Sequence, residues 1–295
     1  MRTPQEHIVN ALRQLAAGAT SGLEFSVESL RSRGTPLLWE ERISIQQGHQ
    51  QRYSTIRSFV DASGAPIGIW EAPAEAKTIQ ELAKALCETR IWELSSEPLI
   101  SGGEINSWSY EISEEKATLS VPGGSPVLMA ISDVDLQLRR IANALVASRS
   151  GAALSCQLKL TELSGGWVNA QIALINEGKQ DCLVQNPLII SGRKTDFLRI
   201  ELGEPPIQQP EMTSAGIQYQ PLPIQVPSDL PPPWNGEYIV LHSGKRIDCP
   251  LKGSVNVSEH RGYFIRAVYS HYGRPTITHE VPLVRGRVFS AELQL

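Results

Sequence analysis

The chain has 295 residues, beyond the length at which single cores usually stop growing, so two domains of roughly 150 residues each are expected. Its 41% hydrophobic and 20% charged residues are ordinary globular composition and argue against extended disorder. A net charge of −4 with no basic run leaves no electrostatic footprint for nucleic acid or an anionic membrane.

The excess of acid lies in the first half; the second half is balanced. No apolar run approaches the ~18 residues a spanning helix needs. The start of the chain lacks the apolar core of a secretory leader, so a cytoplasmic location is expected. The four cysteines, Cys87, Cys156, Cys182 and Cys249, are widely spaced and read as buried thiols rather than a disulfide frame or a metal site.

Thr3, Pro4 and Glu6 form a capping box ahead of Ile8, Val9, Leu12 and Leu15, which share one face of a helix ending at Gly18. The period then drops to two. Leu23, Phe25 and Val27 alternate with Glu24, Ser26 and Glu28, and further strands are expected over 38–46, 52–60 and 67–70. Thr78 and Glu81 repeat the capping box before the stripe Ile79, Leu82 and Leu86. Strands over 107–112 and 117–121 lead to a last helix from Ser132 or Asp133 to Ala147, with Val134, Leu138, Ile141 and Leu145 inward. Residues 1–148 are therefore read as an α+β domain, an antiparallel sheet with helices on one face.

The small, polar segment 147–153 marks the boundary of a second domain, 154–295, in which no helix is expected. Strands are predicted over 154–160, 167–175, 197–202, 238–241 and 246–251, with two closing strands over 262–269 and 284–290. The proline-dense stretch 203–236 reads as an irregular connection packed at the edge. Short strands at this spacing indicate a β-sandwich of Greek-key type.

Two resemblances attach to these segments. The sequence from Leu241 through Gly262-Tyr-Phe-Ile-Arg-Ala-Val-Tyr269 to Gly286-Arg-Val-Phe-Ser290 resembles immunoglobulin-like domains of many bacterial proteins. That likeness implies an all-β immunoglobulin-like sandwich, with Tyr263 placed for a tyrosine-corner bond to backbone. The order of elements over residues 20–147, including Ile91-Trp-Glu-Leu94 and Tyr110, resembles emfourin, a bacterial inhibitor of thermolysin-like metalloproteases. In such an inhibitor a loop residue enters the protease's primary pocket, which would fall to the apolar loop carrying Leu37, Leu38 and Trp39.

Motifs for a nucleophile elbow, a dinucleotide fold, a phosphate loop and a zinc protease are missing from the sequence. No metal ligand set and no cofactor are expected. His271, His279 and Glu280 are the one local cluster, and adjacent residues of a strand point to opposite faces. Arg261, Arg266, Tyr272, Arg274 and Arg285 fall near one end of the second domain, and exposed arginine among tyrosine is the residue mix of protein interfaces. The sequence is thus read as a non-enzymatic protein-binding protein, with inhibition or regulation of a bacterial protease as its specific form. The alternatives are a docking subunit of a larger bacterial assembly, or a hydrolase with a dispersed site around His271 and Glu280.

Overall fold

The computed structural model describes residues 4–19, 23–33, 39–46, 50–56, 66–112, 115–188, 197–204, 217–230, 232–271, 280–284 and 286–295. The protein is mixed α and β, built on antiparallel sheets. It divides into two compact units, Met1–Ile56 with Ile69–Gly151, and Arg57–Gly68 with Ala152–Leu295.

The first unit opens with helix α1, Pro4–Ala16, and strands β1, Phe25–Arg33, β2, Trp39–Gln46, and β3, Gln50–Ile56. Strand β4, Ile67–Pro73, contains the division between the units and leads into α2, Ala76–Thr89. Strands β5, Glu104–Ile112, and β6, Glu115–Pro122, are followed by the single-turn α3, Val127–Ala130, and by α4, Ser132–Ser148. The sheet of this unit runs β3-β2-β1-β5-β6, every pair antiparallel.

Period-two alternation buries Phe25, Val27, Ile43, Ile45, Trp108, Tyr110, Ile112, Leu119 and Val121. On the helices, Ile8, Leu12 and Leu15 of α1 and Leu82 and Leu86 of α2 are fully enclosed. On α4 the inward set is Val134, Leu138, Ala142 and Leu145, while Ile141 is only half-buried. Gly151 shows how tightly the chain is drawn together: an ideal Cβ there would lie 2.0 Å from the Ile69 carbonyl oxygen. No side chain fits that approach.

The capping boxes fare differently. Thr3 lies outside the described residues. Helix α2 begins earlier than expected, with Glu75 at the N-cap and no side-chain cap, so Thr78 and Glu81 sit inside the helix. Ala76 and Lys77 are good helix formers, and nothing between Glu75 and Thr78 stops the helix from extending backward.

The second unit contains β7, Ala152–Glu162, β8, Trp167–Asn176, β9, Cys182–Gln185, β10, Leu198–Gly203, β11, Tyr219–Leu222, and β12, Tyr238–Leu241. It continues with β13, Arg246–Asp248, β14, Gly253–Asn256, β15, Phe264–His271, β16, Gly286–Phe289, and β17, Leu293–Gln294. Strand β8 pairs with β7 along one edge and with β14 and then β13 along the other. A second sheet runs β11-β10-β15-β16, with β17 also on β15, and β9 pairs with β12. These sheets share one core that includes Leu154, Ile172, Val184, Ile200, Ala267 and Val288.

Cys156, Cys182 and Cys249 are buried in this core as free thiols, and Cys87 is half-buried. Burial pushes the Cys156 and Cys182 thiols up to about 12.

The proline-dense segment departs from the expected irregular connection at β11, where Pro221 lies opposite Glu201. Strand β11 is the last in its sheet, and an edge is where a residue without an N–H is tolerated. Further along, Trp234 is buried, and Asn186 Nδ2 donates to the carbonyls of Trp234 and Gly236 at 2.6 and 2.8 Å. Tyr263 precedes β15 and its hydroxyl donates to Glu204 at 3.1 Å, so it makes no tyrosine-corner bond. Tyr269 instead reaches backbone, donating to the Gln185 carbonyl at 3.3 Å. Among the described residues no helix is long and apolar enough to cross a membrane.

Candidate functional site

Of the residues read from the sequence as partner-binding, Leu37, Leu38, Tyr272, Arg274 and Arg285 lie outside the described residues. Trp39 is the first residue of β2, paired in register with Arg33 of β1. Arg261 is exposed. Arg266 is not: it is 4% exposed, which corrects its reading as a surface arginine.

Arg266 lies in the middle of β15, on the strand face opposite Ile265 and Ala267, where alternation alone suggests solvent. Its neighbours from other elements decide otherwise. Register places Glu201 of β10 directly opposite, and Arg266 Nε and Nη2 both reach Glu201 Oε2 at 2.8 Å. Arg199 Nε donates to the other oxygen of Glu201 at 2.6 Å. The guanidinium carbon lies 3.5 Å from the centre of the Tyr219 ring and 4.6 Å from that of Phe289. Glu292 completes the group, accepting from the Tyr219 hydroxyl at 2.5 Å and meeting Arg266 Nη1 at 3.5 Å. Burial, followed by the bond to Glu292, raises the Tyr219 phenol well above its ordinary value. Two cations and two carboxylates balance, and buried charges persist only when paired in this way.

The backbone around Glu292 explains how that carboxylate arrives. Strand β16 leaves β15 at Phe289 and β17 rejoins it at Leu293. Ser290 bridges the break, its hydroxyl accepting the Ala267 N–H at 2.9 Å while its own N–H donates to the Ala267 carbonyl at 2.9 Å. Ser290 is fully buried, so the hydroxyl supplies a partner that water cannot.

Arg261 belongs to a different environment. The turn between β7 and β8 is Leu163-Ser-Gly-Gly-Trp167, closed by the Leu163 N–H donating to the Trp167 carbonyl at 2.7 Å. Gly166 has φ +78°, and an ideal Cβ there would lie 2.8 Å from Ser258 Oγ, so the turn requires glycine. Leu163 and Trp167 remain 45% and 42% exposed despite their size.

The turn after β14 lies beside them. Trp167 pairs in register with Asn256, and the Val257 N–H donates to the Gly166 carbonyl at 2.9 Å. Asn256 Oδ1 accepts from the Ser258 N–H at 3.0 Å, and the Asn256 carbonyl accepts from His260 Nδ1 at 2.9 Å. His260 meets Tyr263 edge-on with ring centres 5.3 Å apart, and Tyr263 is held from below by Glu204. These bonds tie the Trp167 turn to the segment that carries His260 and Tyr263, with the exposed Arg261 between those two in sequence.

Trp167 and Leu163 did not stand out in the sequence, where Trp167 opens the strand expected over 167–175. The available signal was the Ser-Gly-Gly before it, which makes Trp167 a turn-flanking position.

His271 is buried at the end of β15, with its ring edge-on to Phe197 at 6.1 Å. His279 lies outside the described residues, and Glu280 is exposed. Among the described residues no three His, Cys, Asp or Glu side chains gather to hold a metal. Comparison with known proteins finds no matching family model and no match among curated proteins.

Proposed function

We propose that this chain is a non-enzymatic protein-binding protein that holds its partner at the Trp167–Arg261–Tyr263 end of the second unit. The observation that carries the reading is Trp167 itself, a large side chain left exposed on a glycine-locked turn beside an exposed arginine and a half-buried tyrosine. Trp, Tyr and Arg dominate binding hot spots, and groups held rigid before binding lose little entropy on contact. In this reading the second unit, an immunoglobulin-like frame, docks the chain into a larger bacterial assembly. Inhibition of a thermolysin-like metalloprotease is the more specific form, and it rests on the emfourin-like order of the first unit.

Immobilised wild-type protein and Trp167→Ala, exposed to extract of the native host, test the docking. A protein retained by the wild type and then purified should bind Trp167→Ala about 30-fold more weakly, the equivalent of about 2 kcal/mol. Melting temperatures of the two should agree. Equal affinity for both would remove the proposed site. A thermolysin-type protease assayed with increasing protein decides the specific form: undiminished proteolysis leaves docking without inhibition.

A further inference from the structure

The turn leading into β12 carries a chemically reactive pair of residues. Of the seven asparagines in the chain, Asn235 alone is followed by glycine, and it is exposed. Asn-Gly marks a turn, and it is also the pair in which an asparagine side chain most readily reacts with its own backbone, because glycine has no Cβ to shield the attacking nitrogen. Asn106, followed by the small Ser107, is the next in that order. It is 1% exposed, and its side-chain amide is committed to Arg31 and Glu104.

Asn186 holds the turn on both sides of the pair. Its Nδ2 donates to the carbonyls of Trp234 and Gly236, its N–H donates to the Glu237 carbonyl at 2.8 Å, and its Oδ1 accepts from the Leu188 N–H at 2.9 Å. These bonds fix the peptide groups before and after the one that joins Asn235 to Gly236, and leave that one out. Its N–H, on Gly236, reaches the Pro233 carbonyl only at 3.4 Å, beyond the ~3.2 Å limit of an ordinary bond. The reacting groups are thus exposed and loosely held, on a turn whose flanks are clamped to the core through the buried Trp234.

We infer that Asn235 is a site of spontaneous deamidation and isomerisation, through which an ageing chain gives up the Asn186 clamp on Trp234. The Gly236 nitrogen, its proton lost to solvent, attacks Asn235 Cγ; the bond from Cγ to the side-chain nitrogen breaks, and ammonia leaves a five-membered succinimide. Water then opens the ring. Attack at Cγ restores the original backbone with aspartate at 235. Attack at the main-chain carbonyl sends the backbone through Cβ and Cγ, giving isoaspartate and a chain longer by one carbon. The balance is one water taken up and one ammonia released, with no change of oxidation state. The added carbon lies between the two carbonyls that share Asn186 Nδ2, so the clamp cannot keep both. A buried N–H of Asn186, which is 1% exposed, is then left without its acceptor. This chemistry is independent of the docking at Trp167.

The test incubates wild type, Gly236→Ala and Asn235→Asp at neutral and mildly alkaline pH, with wild type unfolded in guanidinium chloride alongside. Peptide mapping by mass spectrometry reads exchange of amide NH2 for OH at each asparagine, and an isoaspartate methyltransferase reads the rerouted linkage. Asn235 of the folded protein should convert ahead of every other asparagine, faster at the higher pH. Its rate should lie no more than about a hundredfold below that of the unfolded chain, whereas a need for global unfolding would slow it by at least about a thousandfold. In Gly236→Ala an added Cβ meets only the Tyr238 carbonyl, at 3.3 Å, so the variant should fold and keep its Asn235 amide while wild type loses its own. The isoaspartate fraction should melt at least about 4 °C below fresh protein, the effect of a stranded buried donor in a unit of this size. Asn235→Asp adds the charge without rerouting the chain and should melt within about 2 °C of fresh protein. A folded-state rate more than about a hundredfold below the unfolded one, or equal conversion in Gly236→Ala, would overturn the site. An isoaspartate fraction that melts no lower than Asn235→Asp would overturn release of the clamp.

Discussion

Arg261 and Arg266 are five residues apart and read alike in the sequence, yet they occupy opposite environments. Arg266 is enclosed by Glu201, Tyr219, Phe289 and Glu292, while Arg261 stands exposed in the turn between Asn256 and Tyr263. One arginine has its hydrogen-bonding capacity spent inside the unit, and the other presents it outward. The difference shows that an arginine–tyrosine mixture signals an interface only where the fold leaves it uncovered. The same residues, folded onto a carboxylate opposite in register, become part of the support.

The contrast can be broken most severely at Arg266. Arg266→Ala leaves Glu201 buried without its principal cation and should cost about 3–5 kcal/mol. Urea denaturation should show the midpoint falling with little change in slope. Ser290→Ala is expected to come next, since it strands the Ala267 N–H at the break between β16 and β17. A cost of about 1–3 kcal/mol is expected by the same measurement.

At the exposed end the pattern should invert. Arg261→Ala should change stability by no more than about 0.5 kcal/mol while weakening the partner complex. A large loss of stability in Arg261→Ala would erase the distinction between the two arginines.

The smallest effect belongs to a pair at the surface of the second unit. Asp181 accepts from His242 Nδ1 at 2.7 Å and from the Ser243 N–H at 2.8 Å. These two bonds, His242 first, hold the Asp181 carboxyl below its ordinary value. A carboxyl lowered by folding adds stability that is fully present above its unfolded pKa and lost as pH falls through the folded one. The loss therefore lies on the acid side of about 3.9. Denaturation of the wild type should weaken slightly over that range, and Asp181→Asn should remove this contribution to the slope.

Much of the fold was legible because hydrophobic period is a local signal. The stripes of α1 and α4, and the alternation of β1, β5, β7 and β8, follow from residues within a few positions of one another. The start of α2 was misplaced because Thr78 and Glu81 fit a cap as well as they fit a helix interior. Strands β9, β14 and β17 span four, four and two residues, too few for alternation to show. Strand β11 was hidden by Pro221, which is compatible with a strand only because of its edge position. The Arg266 group was out of reach altogether, because Glu201 is 65 residues away in sequence and only pairing of β10 with β15 brings it opposite. Trp167 was placed at the start of its strand, but its exposure depends on the glycine turn beside it, which hydrophobic period does not report.

Contact of the Trp167 end of the second unit with another protein can be read in the native host. Its most direct test is a photo-crosslinking residue placed at position 167 and, as control, at Val240, which is 46% exposed in the same unit. Illumination in the native host should give a discrete adduct from position 167 that weakens when Arg261→Ala is added, with none from position 240. No adduct from 167, or the same adduct from both positions, would rule out a partner at the Trp167 end.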